Sequence, residues 1–176
     1  MRRAIPAVLL APMLMAFQAT PPDWTFDSQL RLGQTRQGFQ RLAETLGVAW
    51  QCTVVTRPEV PISDAEVCRF SSRSRAVSAL VAKDNTGVPR VVAYSVKGSA
   101  HGFSELGKGL REKLGAPTKQ SSDRWGENHV WQIGGSWTVI HSACALQLSC
   151  LEVSQDMTAR RIARSAGVFM PTYQPV

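Results

Sequence analysis

The sequence predicts an α+β fold in which two main helices pack against one mostly antiparallel sheet of about seven or eight strands. Two segments carry apolar residues at helical spacing, and each ends in the dipeptide Leu-Gly. Short segments between and after them alternate apolar with polar residues and are separated by residues that favour turns. Successive hairpins combined with separate helices are typical of this class.

The first half begins with a predicted strand, Phe26–Leu32, whose alternation ends at Gly33. Thr35 is a suitable N-cap for the helix that follows, and Gly47 is its expected stop. The apolar residues of this helix recur at the spacing of one helical face; they are Phe39, Leu42, Ala43 and Leu46. We expect that face to pack on the sheet.

The remaining strands are predicted from alternation and from the turns between them. In chain order they are Trp50–Thr56, Val67–Ser71, Ala76–Lys83, Pro89–Lys97, Asn128–Ile133, Ser136–Ser142 and Leu146–Val153. The cluster Asp84-Asn85-Thr86-Gly87 predicts a turn between two of them. Gly134-Gly135 predicts a two-residue hairpin turn between two others.

The second half contains another amphipathic helix, marked by Phe103, Leu106, Leu110 and Leu114 and stopped at Gly115. Gly107 and Gly109 weaken this helix by up to about 1 kcal/mol each relative to alanine. A short helix with exposed arginines is predicted near the C-terminus, from Asp156 to Ala166. Its apolar side is narrow, so we expect it to pack on the sheet rather than on a membrane.

An even number of cysteines in an exported chain predicts two disulfides, with three possible pairings. The cysteines are Cys52, Cys68, Cys144 and Cys150. If Cys52 lies opposite Cys68 in a hairpin, Trp50 lies opposite Phe70 on the same face, which favours this pairing. Closing such a loop of about 15 residues stabilises a fold by roughly 3 kcal/mol. Elimination then leaves Cys144–Cys150.

The N-terminus predicts a signal peptide. Arg2 and Arg3 precede an uncharged apolar stretch, Ala4–Phe17, which is shorter than the roughly 20 residues that a membrane-spanning helix needs. We place the cleavage after Ala19, with Ala16 as the alternative site. An uncleaved membrane anchor is the alternative to a signal peptide.

Removing residues 1–19 leaves one disulfide-bearing α+β domain, 20–176, of ordinary size for a single core. A helix, a Leu-Gly stop, tryptophan-bearing strands and a cysteine pair occur twice within it. This pattern predicts two degenerate half-repeats, 26–97 and 98–153, followed by a C-terminal helix within 154–167. The predicted location is periplasmic or secreted.

The basic charge does not predict a nucleic-acid partner. The formal net charge is +7, and it falls to +5 without the signal peptide, which contains two arginines and no acidic residue. Binding to a phosphate backbone requires a concentrated basic stripe, whereas these charges are spread along the chain. We also expect no stable membrane insertion after the signal peptide is removed.

No combination of residues predicts a catalytic site, a metal site or a cofactor. Ser99 and His101 are two residues apart in a loop, which seldom gives a nucleophile and base their required geometry. A two-residue turn at 134–135 would place His141 opposite Asn128, so His129 and His141 would lie on opposite faces and could not share a metal. A pair of catalytic carboxylates of the glycosidase type remains an alternative, because the two residues of such a pair are close in space but not in sequence.

The candidate binding residues are Trp125, Trp131 and Trp137. The same two-residue turn would place Trp131 and Trp137 on opposite faces of the sheet, so that one of them lies away from the helices. An open sheet face that displays tryptophan can bind a partner, because aromatic residues are enriched in interface hot spots. The alternative is that the C-terminal tail or a loop covers the second face and both residues belong to the core.

The repeated helix, Leu-Gly stop, tryptophan-bearing strands and cysteine pair resemble the tandem-repeat secreted proteins of the β-lactamase-inhibitory-protein type. The single unit also resembles envelope lipoproteins of the SmpA/OmlA kind. These resemblances span about Phe26 to Val153 and imply helices on one antiparallel sheet and a protein-binding role. The chain has no cysteine near the predicted cleavage site, so the resemblance does not extend to a lipid anchor.

Together these observations predict an exported envelope or secreted protein that is not an enzyme and binds another envelope or extracellular protein. The alternative is a hydrolase or a binding protein that acts on cell-wall or polysaccharide material.

Overall fold

A computed structural model describes the chain over residues 30–56, 64–72, 75–99, 103–145 and 148–169. Within these ranges the strands are β1 (Trp50–Val54), β2 (Glu66–Ser71), β3 (Arg75–Lys83), β4 (Pro89–Ser99), β5 (Lys119–Asp123), β6 (Gly126–Ile133), β7 (Trp137–Ala145) and β8 (Leu148–Ser154). The helices are α1 (Arg36–Thr45), α2 (Phe103–Leu114) and α3 (Met157–Ser165). The predicted signal peptide and His101 lie outside the described residues.

The eight strands form one sheet in the order β1-β2-β3-β4-β8-β7-β6-β5, and every neighbouring pair is antiparallel. The first four strands follow one another in space, as do the last four, and the two sets meet where β4 pairs with β8. The predicted turn at 84–87 joins β3 to β4, and its Gly87 N–H donates to the Asp84 carbonyl at 2.9 Å. A short turn suffices at this place because antiparallel neighbours need no crossover.

The predicted class, two main helices packed on a sheet, is wrong: the described chain is mainly β. The three helices are only 10, 12 and 9 residues long. Eight strands about 4.8 Å apart span roughly 34 Å, whereas a helix with its side chains covers about 10 Å. The helices also form no common layer, because α3 packs on the opposite face from α1 and α2. Most buried apolar residues therefore lie on strands.

The two faces of the sheet carry separate cores. On the face under α1 and α2, Phe39 of α1 lies 5.2 Å from Phe70 of β2 between ring centroids. Leu110 of α2 is buried over the other half of the same face. On the α3 face, Ile162 is buried against a smaller core that includes Leu80. The predicted packing of the C-terminal helix on the sheet is therefore seen in the structure.

Both predicted disulfides are present. Cys52 of β1 bonds to Cys68 of β2, and Cys144 of β7 bonds to Cys150 of β8. The register of β1 and β2 pairs Cys52 with Cys68 and Trp50 with Phe70, as the hairpin argument required. The disulfides thus connect neighbouring strands in each half of the sheet.

The strand predictions failed at two places. Residues 30–32, the described end of the predicted strand Phe26–Leu32, are not in the sheet, although Leu30 and Leu32 are buried. This segment is instead held beside β4, where the Gly33 N–H donates to the Val91 carbonyl at 2.8 Å. The alternation reflected burial and not strand pairing. Conversely, β5 was missed because its five residues are all polar and exposed and show no apolar period.

Candidate binding surface

The three candidate tryptophans lie in different environments. Trp125 is 40% exposed and lies in the turn between β5 and β6, Trp137 is half-buried, and Trp131 is only 2% exposed. The structure therefore does not place them on one surface. Trp125 is the most exposed of the three.

Asp123 organises the turn that presents Trp125. Its Oδ1 accepts hydrogen bonds from the backbone N–H of Trp125 at 2.7 Å and of Gly126 at 3.3 Å. Its Oδ2 accepts from the Asn128 side-chain amide at 3.1 Å. The bond from the Trp125 N–H is the main reason that the pKa of Asp123 is lowered, and the Asn128 amide contributes. Gly126 has φ of 137°, a conformation that disfavours residues with a Cβ. We call residues 123–126 the Trp125 turn.

An arginine accompanies the exposed tryptophan. The Arg124 guanidinium carbon lies 4.6 Å from the centroid of the Trp125 ring, within range of a cation–π interaction. At an exposed site such a contact contributes about 0.5–1 kcal/mol. It therefore restricts the orientation of the indole before any partner binds.

The Trp125 turn adjoins an open edge of the sheet. β5 is the last strand in the order and pairs only with β6 among the described strands. All its residues, from Lys119 to Asp123, are exposed. An exposed aromatic and an arginine beside polar, solvated side chains match the composition of a small interface core with its rim.

The predicted faces of Trp131 and Trp137 are wrong. The turn between β6 and β7 has three residues, because Ser136 belongs to the turn, and both Gly134 and Gly135 have positive φ. The register therefore moves by one, which pairs Trp131 with Val139 and Trp137 with Ile133. Both tryptophans now lie on the face that α2 covers.

Trp131 acts as a core residue in this position. Its indole N–H donates to the carbonyl of Gly115, just after α2, at 3.0 Å. This bond satisfies the polar atom of a buried indole and connects the end of α2 to β6. The burial of Trp131 and the hydrogen bond of its indole are therefore explained by the core, and no binding partner is needed to explain them.

The same one-residue shift corrects the predicted placement of the histidines. His129 of β6 pairs directly with His141 of β7, and their ring centroids are 6.3 Å apart. His129 Nε2 lies 3.1 Å from Arg111 Nη2 of α2 and 3.2 Å from Glu127 Oε2. Burial, together with the nearby charge of His129, lowers the pKa of His141 to about 4. Sequence reasoning missed this cluster because it rested on the wrong turn length.

The histidine cluster is poorly suited to a metal or to a substrate. The Arg111 guanidinium beside His129 Nε2 would repel a cation at that nitrogen. His141 has no exposed surface, so a substrate cannot reach its ring without movement of the structure. A second cluster of residues that could bind a metal consists of Cys52, Glu66 and Cys68. Both of its sulfur atoms are in a disulfide, so it offers no thiolate.

No helix of the described residues is long and apolar enough to cross a membrane. Comparisons with protein-family models, with curated proteins and with solved structures find no match. The resemblance to β-lactamase-inhibitory proteins and to SmpA/OmlA proteins therefore remains a prediction from the spacing of helices, tryptophans and cysteines.

Proposed function

We propose that this chain is an exported, non-enzymatic protein that binds another envelope or extracellular protein through the Trp125 turn. The observation that carries the proposal is the exposed Trp125 ring. Asp123 accepts a hydrogen bond from the Trp125 backbone N–H and so fixes the turn that presents the ring, and the Arg124 guanidinium lies over the ring. Tryptophan and arginine dominate the energetics of protein interfaces. A preorganised side chain also loses less conformational entropy on binding.

The neighbouring edge supplies the polar surroundings of this anchor. Exposed β5 side chains include Lys119 at one end and the serine pair at 121–122. Polar residues around an aromatic anchor exclude water from it while contributing little energy themselves. We therefore expect the partner to cover Trp125 and to extend along β5.

Export forms part of the same proposal. Two disulfides are compatible with an oxidising compartment outside the cytoplasm. The proposed location is the periplasm or the extracellular medium, reached through cleavage of residues 1–19. Fractionation of the native cells and sequencing of the mature N-terminus test it, and a full-length chain in the cytoplasm would contradict it.

Site-specific photocrosslinking in native cells tests the proposed surface. A photoreactive residue at position 125 should give one adduct of defined mass. The matched control has the photoreactive residue in place of Met157, which is 64% exposed on α3. This control should not give that adduct. Purified Trp125→Ala should bind the captured protein at least about tenfold more weakly, whereas Met157→Ala should bind as wild type does.

Other results would reject the proposal. Equal, diffuse crosslinking from positions 125 and 157 would show that the Trp125 turn has no specific protein partner. Adducts with glycan alone would favour the alternative role, binding or hydrolysis of cell-wall or polysaccharide material.

A further inference from the structure

We propose that protonation of the buried His129–His141 pair detaches α2 from β6 and β7, so that this contact is a pH-sensitive switch within the fold. The histidine cluster is separate from the Trp125 turn, and the switch does not depend on the proposed function. It rests on three observations: two incompatible partners at one nitrogen, a fully buried second histidine, and a weak helix above both.

His129 Nε2 faces two groups that require opposite protonation states. Arg111 lies 3.1 Å away and can only donate a hydrogen bond, so it needs an unprotonated Nε2. Glu127 lies 3.2 Å away and, as a carboxylate, can only accept, so it needs Nε2–H. A proton at Nε2 therefore breaks the contact with Arg111, which joins α2 to β6, and strengthens the contact with Glu127, which lies within β6.

The other groups around His129 increase the effect of a proton. Among the described residues, the charged or titratable groups that face it are Arg111 from α2, Glu127 on its own strand and His141 on β7. Its neighbour on β5 is the uncharged Gln120. Of these groups only Glu127 is negative, and its side chain is mostly exposed to solvent, which screens it. A charged His129 therefore meets Arg111 and His141 with little compensation.

His141 has no room for solvation while α2 is in place. A Cβ at Gly107 of α2 would lie only 3.2 Å from His141 Cε1, so the helix backbone lies directly over the ring. Beyond His141 the sheet continues with the apolar Leu151 of β8. Among the described residues α2 is the helix that covers the His141 ring, so movement of α2 would let water reach a protonated His141. The lowered pKa of His141 reflects its burial.

α2 is the packed element that can move. It contains Gly107 and Gly109, and glycine is the least helix-favouring residue except proline. Among its described side chains only Leu110 is fully buried, whereas α1 buries Phe39, Leu42 and Ala43. Leu106 and Leu114 are only partly buried, and the Trp131 indole N–H holds the end of the helix through the Gly115 carbonyl. Release of α2 therefore requires few contacts to break.

Hydrogen exchange of the full protein tests the switch, because it reports each helix separately. When α2 opens, His141 becomes exposed and takes up a proton more readily. Between pH 7 and pH 5 the protection factors of α2, corrected for intrinsic exchange, should therefore fall about 20-fold. α1, which covers no histidine among the described residues, is the internal control and should keep its protection. The fluorescence of tryptophan should change over the same pH range as Trp131 loses its bond.

Two variants separate the switch from general acid sensitivity. His141→Gln cannot take up the proton at that position and should clearly diminish the α2 response. His129→Gln keeps an acceptor for Arg111 and should also diminish it. Parallel loss of protection in α1, α2 and β3 in the wild type would overturn the proposal without any variant. An undiminished α2 response in His141→Gln would overturn it as well.

Discussion

His141 has no exposed surface and lies opposite a second histidine, so its protonation state is coupled to folding. Its pKa of about 4 is lower than the ordinary 6.5, chiefly because burial disfavours the charged imidazole. The unfolded chain therefore takes up a proton below about pH 6.5, while the folded protein does so only near pH 4. Free energy of unfolding is consequently lost as the pH falls through this interval.

The first prediction concerns this loss. Between pH 7 and pH 4, His141 should lower the free energy of unfolding by about 3 kcal/mol in addition to the effect of other groups. Urea unfolding of the wild type and of His141→Gln at both pH values measures the difference. If both proteins lose the same amount of free energy, the burial of a neutral His141 does not control acid stability.

Two glycines of α2, Gly107 and Gly109, differ in how closely the helix packs on the sheet. Gly109 has no atom within 4 Å of a Cβ placed on it, whereas a Cβ on Gly107 would meet the His141 ring at 3.2 Å. Gly109 therefore costs helix propensity without a packing contact among the described residues. Gly107 allows the helix to approach β7 closely.

The second prediction uses these glycines as a matched pair. Gly109→Ala should raise the free energy of unfolding by about 0.5–1 kcal/mol, because alanine favours helix. Gly107→Ala gains the same propensity but must displace the His141 ring, so it should be less stable than Gly109→Ala by about 1 kcal/mol or more. Denaturant unfolding near pH 7 measures both, and equal stabilisation would show that α2 is not packed tightly on His141.

The disulfides constrain the whole molecule unequally. Cys52 and Cys68 are 16 residues apart and hold the edge strand β1, while Cys144 and Cys150 are 6 apart and join two inner strands. Chain-entropy arguments assign about 3 kcal/mol to the longer loop and about 2 kcal/mol to the shorter. The inner strands are also held by neighbours on both sides.

The third prediction follows from this difference. Replacement of both Cys52 and Cys68 by alanine should lower the free energy of unfolding by about 1 kcal/mol more than replacement of Cys144 and Cys150. Urea unfolding of the two double variants tests the order, with the oxidised wild type as reference. A larger loss from Cys144 and Cys150 would mean that the β7–β8 connection, and not the β1 edge, limits stability.

Local signals predicted much of the secondary structure and the disulfide pairing. The Thr35 cap, with its side chain accepting from the Gly38 N–H, and the apolar period of α1 depend on neighbours within a few residues. The Cys52–Cys68 pairing also followed from one hairpin register, as observed. Strand β5 could be recognised only by its turn, Asp123 to Gly126, because an exposed edge strand needs no apolar alternation.

The sequence by itself predicted where the helices form, the favoured cysteine pairing and the hairpins β1–β2, β3–β4 and β6–β7. These features depend on short-range period, capping and turn residues. The tertiary structure decided the fold class, since only the pairing of β4 with β8 joins the strands into a sheet wider than the helices can cover. It also decided the sites. One extra turn residue, Ser136, reverses the face of every later side chain on β7. That shift buries Trp131, brings His129 to His141, and leaves Trp125 as the exposed candidate.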